Sequence, residues 1–320
     1  MSNNMSTNLV AEASFEFQNK HSVGKGRPLR HFVPRPVRRA IRHAYLFILD
    51  AIDFCHGRRR DLVPPRRLNF VGDGDFERIG NEFLEYFTNL GGLRPSDHIL
   101  EVGSGIGRMA RPLTGYLTTG SYEGLDIVPS GIRWCQWNIT PRFPNFRFTL
   151  ADIRNREYNR KGKLRAADFR FPYPDAHFDF CTLTSVFTHM LFADTDHYLG
   201  ELYRVLRPGG RCLATFFLLN EESRRAVKAQ TSSLLFRHPL ADCWTTDPRV
   251  PETAVAYDET AMARLLEKNG FTRESCHYGH WSGRSQYLSF QDIVVISRPM
   301  MHWRQAGVSN TADGSPLSLH

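Results

Sequence analysis

The sequence has no Cys-x-x-Cys pair, no apolar run long enough to span a bilayer and no net charge over its last four fifths, and each absence excludes a class of chemistry. The six cysteines, Cys55, Cys135, Cys181, Cys212, Cys243 and Cys276, stand apart from one another. Cys181 and Cys212 sit in apolar, strand-like runs, where a thiol behaves as a small hydrophobe. Cys55-His56 and Cys276-His277 are adjacent pairs, but neither has a second pair at zinc-ligand spacing, so all six read as reduced and no metal site is expected. The most apolar helical stretch, 36–54, has a core of about a dozen residues containing Asp50 and Asp53, short of the roughly 20 that cross a bilayer. The first 20 residues lack the apolar core of a signal peptide, so a cytoplasmic protein is expected.

The 320 residues are 41% hydrophobic, enough for one large catalytic domain with appendages. The formal charge of +8 is concentrated at one end. Residues 1–67 hold 13 Lys or Arg against 5 Asp or Glu, and residues 68–320 hold 28 of each. The chain therefore divides into a basic N-terminal extension with a short amphipathic helix (1–67), a catalytic domain (68–300) and a tail without periodicity (301–320) that is expected to be disordered. A basic arm on a neutral enzyme suits an anionic surface, lipid headgroups or nucleic acid, and equally a solvated extension. Its helix reads as packed on the catalytic domain or on a second subunit, with peripheral membrane contact through 36–60 as the competing reading.

The most informative stretch is Ile99-Leu100-Glu101-Val102-Gly103-Ser104-Gly105-Ile106-Gly107. Its apolar residues suit a buried parallel strand, and alternate glycines let the backbone bend sharply into a helix and approach a ligand. Asp126 closes the run 122–127 and Asp152 closes 146–152, each placed as the last residue of a strand. In a doubly wound sheet, ligands bind outside the carboxyl ends of the strands, so Glu101, Asp126 and Asp152 are expected to share one crevice. Asp126 lies 19 residues after Gly107, close to the roughly 20 at which an acid meets a ribose hydroxyl. A nicotinamide dehydrogenase is the rival, but its Gly-x-Gly-x-x-Gly spacing differs. A carboxylate at Glu101 is also unfavourable beside a pyrophosphate and tolerable beside a sulfonium.

Glu101-x-Gly103-x-Gly105-x-Gly107, Asp126, Asp152, the strand Phe178-Asp179-Phe180-Cys181-Thr182-Leu183 and the turn Leu206-Arg207-Pro208-Gly209-Gly210 together resemble the class I S-adenosylmethionine-dependent methyltransferases, through most of residues 80–220. The resemblance implies an α/β fold, a Rossmann-like doubly wound sheet with a mostly parallel seven-stranded order and a final antiparallel strand. It implies S-adenosyl-L-methionine as cofactor, with the methionine portion held at Gly103, Ser104, Gly105 and Gly107 beside Glu101. Asp126 and Ile127 would take the ribose, Asp152 and Ile153 the adenine, and Thr184 and Ser185 would pass beneath the cofactor.

Helices are expected over 75–91, 108–116, 130–138 and 260–269, strands over 180–184, 211–217 and 290–297, and a closing hairpin over 271–296 with Trp281-Ser282-Gly283-Arg284 near the active-site rim. The segment 153–177 is longer than a simple crossover and strongly basic. It reads as a solvated loop, or as cations such as Arg154 and Arg156 held over an anionic or polyhydroxyl substrate. His189, four residues after Ser185, is the candidate general base. His280, Arg284, Glu221 and Glu222 are weaker candidates. Thr184-Ser185-Val186-Phe187 is not the Asn-Pro-Pro-Tyr type that marks many amino methyltransferases, and no Pro-Cys pair exists. The resemblance thus points to a hydroxyl of a small molecule, sugar or lipid-linked acceptor and disfavours nucleic acid. A cofactor-binding module without turnover is the alternative from a different class.

Overall fold

The computed structural model describes residues 35–57, 60–71 and 74–300, so the expected mobile start and disordered tail lie outside the described residues. A seven-stranded sheet forms the frame. In chain order its strands are β1 (His98–Val102), β2 (Ser121–Asp126), β3 (Phe146–Leu150), β4 (Phe178–Leu183), β5 (Leu206–Phe216), β10 (Thr272–His277) and β11 (Asp292–Ser297), arranged β10-β11-β5-β4-β1-β2-β3. Strands β1 to β5 pair in parallel, and β11 runs antiparallel to both β5 and β10. The expected sheet and its reversed strand are both present.

Strand periodicity explains why the sheet is covered on both faces, since alternate side chains point to opposite sides. Leu100, Cys181, Leu183, Cys212, Ala214, Val294 and Ile296 join one core with the helices α5 (Phe192–Val205) and α7 (Glu259–Lys268). Ile99, Phe180, Leu213, Ile293 and Val295 join the other, under α2 (Phe76–Asn89), α3 (Ala110–Tyr116) and α4 (Pro129–Asn138). Asp75 caps α2 by accepting the Arg78 N–H, and Gly92, at φ +68°, lets the chain turn out of it toward β1.

Several boundaries moved for local reasons. The helix expected from 108 begins at Ala110, because Gly103, Gly105 and Gly107 adopt φ of +83°, +56° and +78°, which no right-handed helix admits. The supposed turn 206–210 lies within β5, where the Gly209 N–H donates to the Arg298 carbonyl at 2.7 Å and the Arg298 N–H to the Gly210 carbonyl at 2.9 Å. A second, four-stranded sheet went unanticipated. It comprises β6 (Leu218–Leu219), β7 (His238–Pro239), β8 (Cys243–Thr245) and β9 (Val255–Asp258), in the order β6-β9-β8-β7, with α6 (Glu221–Ala229) beside it. It has a small core of its own in which Trp281 is wholly buried, so Trp281 packs this layer and does not stand at a rim. Asp292 joins the layers: its carboxylate accepts the N–H groups of Leu218 and Gly279 at 2.7 Å each and the Trp281 indole N–H at 2.9 Å.

The remaining helix, α1 (Arg35–Cys55), stands apart from both layers and is tied to the chain at Arg66 and Arg67 by Asp50 and Asp53. Packing on the catalytic domain or on a second subunit was the favoured expectation for it, and a single chain speaks only to the first. Instead a groove of about 990 Å³ separates it from residues 63–77, and most of its described side chains are exposed.

Candidate active site

The carboxyl ends of β1, β2 and β3 meet where the sequence placed its glycines and acids. After Val102, the N–H groups of Gly103 and Ser104 both donate to the Leu125 carbonyl, at 2.7 and 3.1 Å, folding the loop over the end of β2. Asp126, 8% exposed, completes the fastening: its carboxylate accepts the Gly105 N–H and the Val128 N–H, each at 2.7 Å. Burial pushes the Asp126 carboxyl upward against these hydrogen bonds. Each carboxylate oxygen accepts more than one hydrogen bond, so both retain lone pairs for a sugar diol.

The glycines are required by close approach as well as by φ. A Cβ at Gly103 would lie 2.3 Å from the Val186 side chain, and one at Gly105 would lie 2.7 Å from that of Val71. The loop after β4 and the segment before α2 therefore close on the glycine loop from two sides. The Ser104 and Thr184 hydroxyls are buried without a hydrogen-bond partner. Ser185 sits at φ +58°, with its N–H on Thr215 at 2.8 Å and its hydroxyl on Gln291 at 3.0 Å.

Four expected cofactor residues are placed less simply. Glu101 is 2% exposed and lies on the face of the sheet shared with Tyr122, whose hydroxyl donates to it; desolvation pushes its carboxyl up to about 8. It is buried at the end of β1, just before the glycine loop, with the Tyr122 hydroxyl as its hydrogen-bond donor. Ile153 is 3% exposed within the larger core, whereas Ile127 is half-buried against it. Asp152 lies two residues beyond β3, exposed, with Lys163 at 3.9 Å.

His189 lies in a short 3₁₀ turn, Phe187–His189, just past β4. Its Nδ1 stands 2.8 Å from the Glu252 carbonyl oxygen, which can only accept, so Nδ1 carries the proton and Nε2 is the base. Burial lowers its pKa below the ordinary 6.5 and keeps the ring neutral. The Tyr158 hydroxyl faces Nε2 at 3.4 Å, with the rings edge to face at 5.2 Å. Burial, with the charges of Glu157 and Asp126 adding to it, raises the Tyr158 phenol to about 12, so it remains an O–H donor.

Tyr158 comes from the long 153–177 segment, which is clasped at its base by a bridge between Ile153 and Leu164. Its cations are largely engaged nearby: Arg165 with Asp168 at 2.7 Å, Arg170 with Asp175 at 3.9 Å and Arg156 with Glu252 at 3.8 Å. Of the weaker candidates, Arg284 pairs with Glu222, bonds Asn220 at 3.1 Å and stacks on Tyr278 at 4.1 Å, so it is an anchor of the small layer. Tyr158 and the Glu252 carbonyl were not foreseen as partners of His189. They lie 31 and 63 residues from it in the chain, beyond any local spacing signal.

The matching family is a methyltransferase domain, aligned over residues 100–214. These include the glycine loop, Asp126, Asp152 and His189. Over these 115 of its 320 residues the chain carries a methyltransferase domain, consistent with the class I S-adenosylmethionine-dependent type. The domain match implies S-adenosylmethionine as the cofactor, and the positive-φ glycines, the Asp126 carboxylate and the unpartnered hydroxyls of Ser104 and Thr184 form a fitting cradle for it. Relatives of this methyltransferase include the phthiotriol/phenolphthiotriol dimycocerosates methyltransferase of Mycobacterium leprae, 33% identical over 38% of this chain and 37% of that one. The demethylmenaquinone methyltransferase of Deinococcus radiodurans is 27% identical over 54% of this chain and 67% of that one. The chain thus spans little more than a third of the first relative and two thirds of the second. Among solved structures, the PH0226 protein of Pyrococcus horikoshii shares the fold, with a TM-score of 0.50 and 15% identity over 72% of this chain and 94% of that one.

Proposed function

We propose that this methyltransferase transfers a methyl group from S-adenosylmethionine to a hydroxyl of a small-molecule, sugar or lipid-linked acceptor, with His189 as general base. The observation that carries the reading is the fixed tautomer of His189, whose neutral Nε2 is paired only with the Tyr158 hydroxyl, through a long contact. Bound in the cradle, the cofactor supplies an electrophilic methyl group. The glycine loop and Asp126 hold it through backbone and carboxylate groups, leaving the acceptor to be aligned from the other side. His189 Nε2 would take the proton that the acceptor hydroxyl loses as its oxygen–carbon bond forms and the methyl–sulfur bond breaks, the electron pair remaining on sulfur. Tyr158, a neutral phenol, orients that hydroxyl by hydrogen bonding. The names of the two relatives, one on a lipid and one on a quinone, favour an apolar acceptor.

The test is transfer of label from methyl-labelled S-adenosylmethionine into a lipid extract, followed by mass analysis of the product. An O-methyl product formed by the wild type and lost with His189→Ala supports the reading. A C-methyl product would replace the hydroxyl assignment. If calorimetry finds no binding of S-adenosylmethionine, turnover falls with it, and a cofactor-binding module without turnover is favoured if binding occurs with no labelled product.

A further inference from the structure

Helix α1 has two faces with opposite fates. Asp50 accepts the backbone N–H groups of Arg66 and Arg67 at 2.7 and 3.3 Å and pairs with the Arg67 side chain at 3.1 Å, while Asp53 pairs with Arg66 at 2.9 Å. These bonds hold the acidic face inward. At about 100° per residue, Tyr45, Ile48 and Ile52 fall on the opposite face. They are 59%, 57% and 41% exposed. Phe47 and Phe54, on the flank, are 58% and 69% exposed. In the same register the sequence keeps positions 37, 41 and 44 apolar. A contiguous apolar face of this length on a soluble protein marks a docking surface.

Charge identifies what it docks on. Arg38, Arg39 and Arg42 precede the exposed face and Arg58, Arg59 and Arg60 follow it, within a 67-residue segment that carries the chain's whole excess of positive charge. A second copy of the same helix would bring like charges together, whereas an anionic bilayer neutralises them while its outer acyl region takes up the isoleucines and aromatic rings. Among the described residues, no helix is long and apolar enough to cross a membrane, so the contact is parallel to the surface. We propose that α1 is an interfacial anchor that seats this protein on anionic lipid.

The test uses the full chain and vesicles of phosphatidylcholine, with and without phosphatidylglycerol, in co-sedimentation. The wild type is expected to bind the mixed vesicles, less so as salt rises and little to phosphatidylcholine alone. Ile48→Glu with Ile52→Glu should weaken binding by about tenfold or more, since burial of each isoleucine is lost. Binding of S-adenosylmethionine and the melting temperature should stay unchanged in this variant, which separates loss of the anchor from misfolding. No binding by the wild type, or equal binding by wild type and variant, overturns the proposal. A wild-type dimer that the same substitutions make monomeric, without vesicle binding, assigns the face to a second copy instead. Neither cofactor nor acceptor is present in this assay, so its outcome is separate from that of the methyl-transfer reading.

Discussion

The two halves of the candidate site are made of different materials. The donor half is backbone: three glycines at positive φ, paired N–H groups on one carbonyl, and a single carboxylate that fastens the loop. The proposed acceptor half is gathered from afar, with the Tyr158 side chain from an extended segment, the His189 side chain from the turn after β4 and a backbone carbonyl from the turn before β9 that orients it. A backbone cradle constrains neighbouring residues in sequence and serves one ligand. A side-chain pocket constrains only what meets in space and can be altered without disturbing the cradle.

That contrast can be broken most sharply at His189. His189→Ala should lower turnover by about 10²- to 10⁴-fold while calorimetry shows unchanged S-adenosylmethionine affinity. Equal loss of both would merge the two halves into one unit. Asp126→Ala is the mirror image, removing the acceptor of two buried N–H groups and weakening cofactor binding by about a hundredfold. Tyr158→Phe removes one hydrogen bond and should cost about tenfold in turnover, with little change in cofactor affinity. Because burial lowers the pKa of His189, the acidic limb of the wild-type pH–turnover profile should fall below 6.5. A limb well above that value would mean that His189 is charged in the working enzyme.

The smallest effect concerns Glu101, whose carboxyl is raised to about 8 from an ordinary 4.5. The folded state therefore binds a proton that the unfolded state releases. The associated stability is fully present below the ordinary value and is lost as pH rises through about 8. Glu101→Gln keeps the shape without the titration, so its melting temperature should gain on the wild type by a few degrees between mildly acidic and alkaline buffer. A constant difference across that range would mean that Glu101 is ionised in the fold.

The donor half was legible in the sequence because its determinants are contiguous. Glycines at 103, 105 and 107 and an acid 19 residues on require only local geometry to be read, and the alternation of strands and helices follows from periodicity. The small second sheet was not legible: its strands are two to four residues long, too short for any period to register. Trp281 reads in sequence as a loop residue because what buries it, Phe217 and Phe236, lies 64 and 45 positions earlier. Arg207 to Gly210 carry turn chemistry, yet the backbone of Arg298, about ninety residues later, holds Gly209 and Gly210 in the sheet as the start of β5. The helix in the basic arm was foreseen, but its attachment at Arg66 and Arg67 rests on two ion pairs that only the structure reveals.

Asp292 sets a rule for anyone who would rebuild this molecule to accept other substrates. One carboxylate gathers donors from β6, from the start of the β10–β11 connection and from the Trp281 ring, so the inner edge of the small sheet cannot be exchanged without reworking the end of β11. The opposite edge, β7, has no such attachment to Asp292, and its two residues are exposed, so that margin tolerates change while the edge at β6 does not.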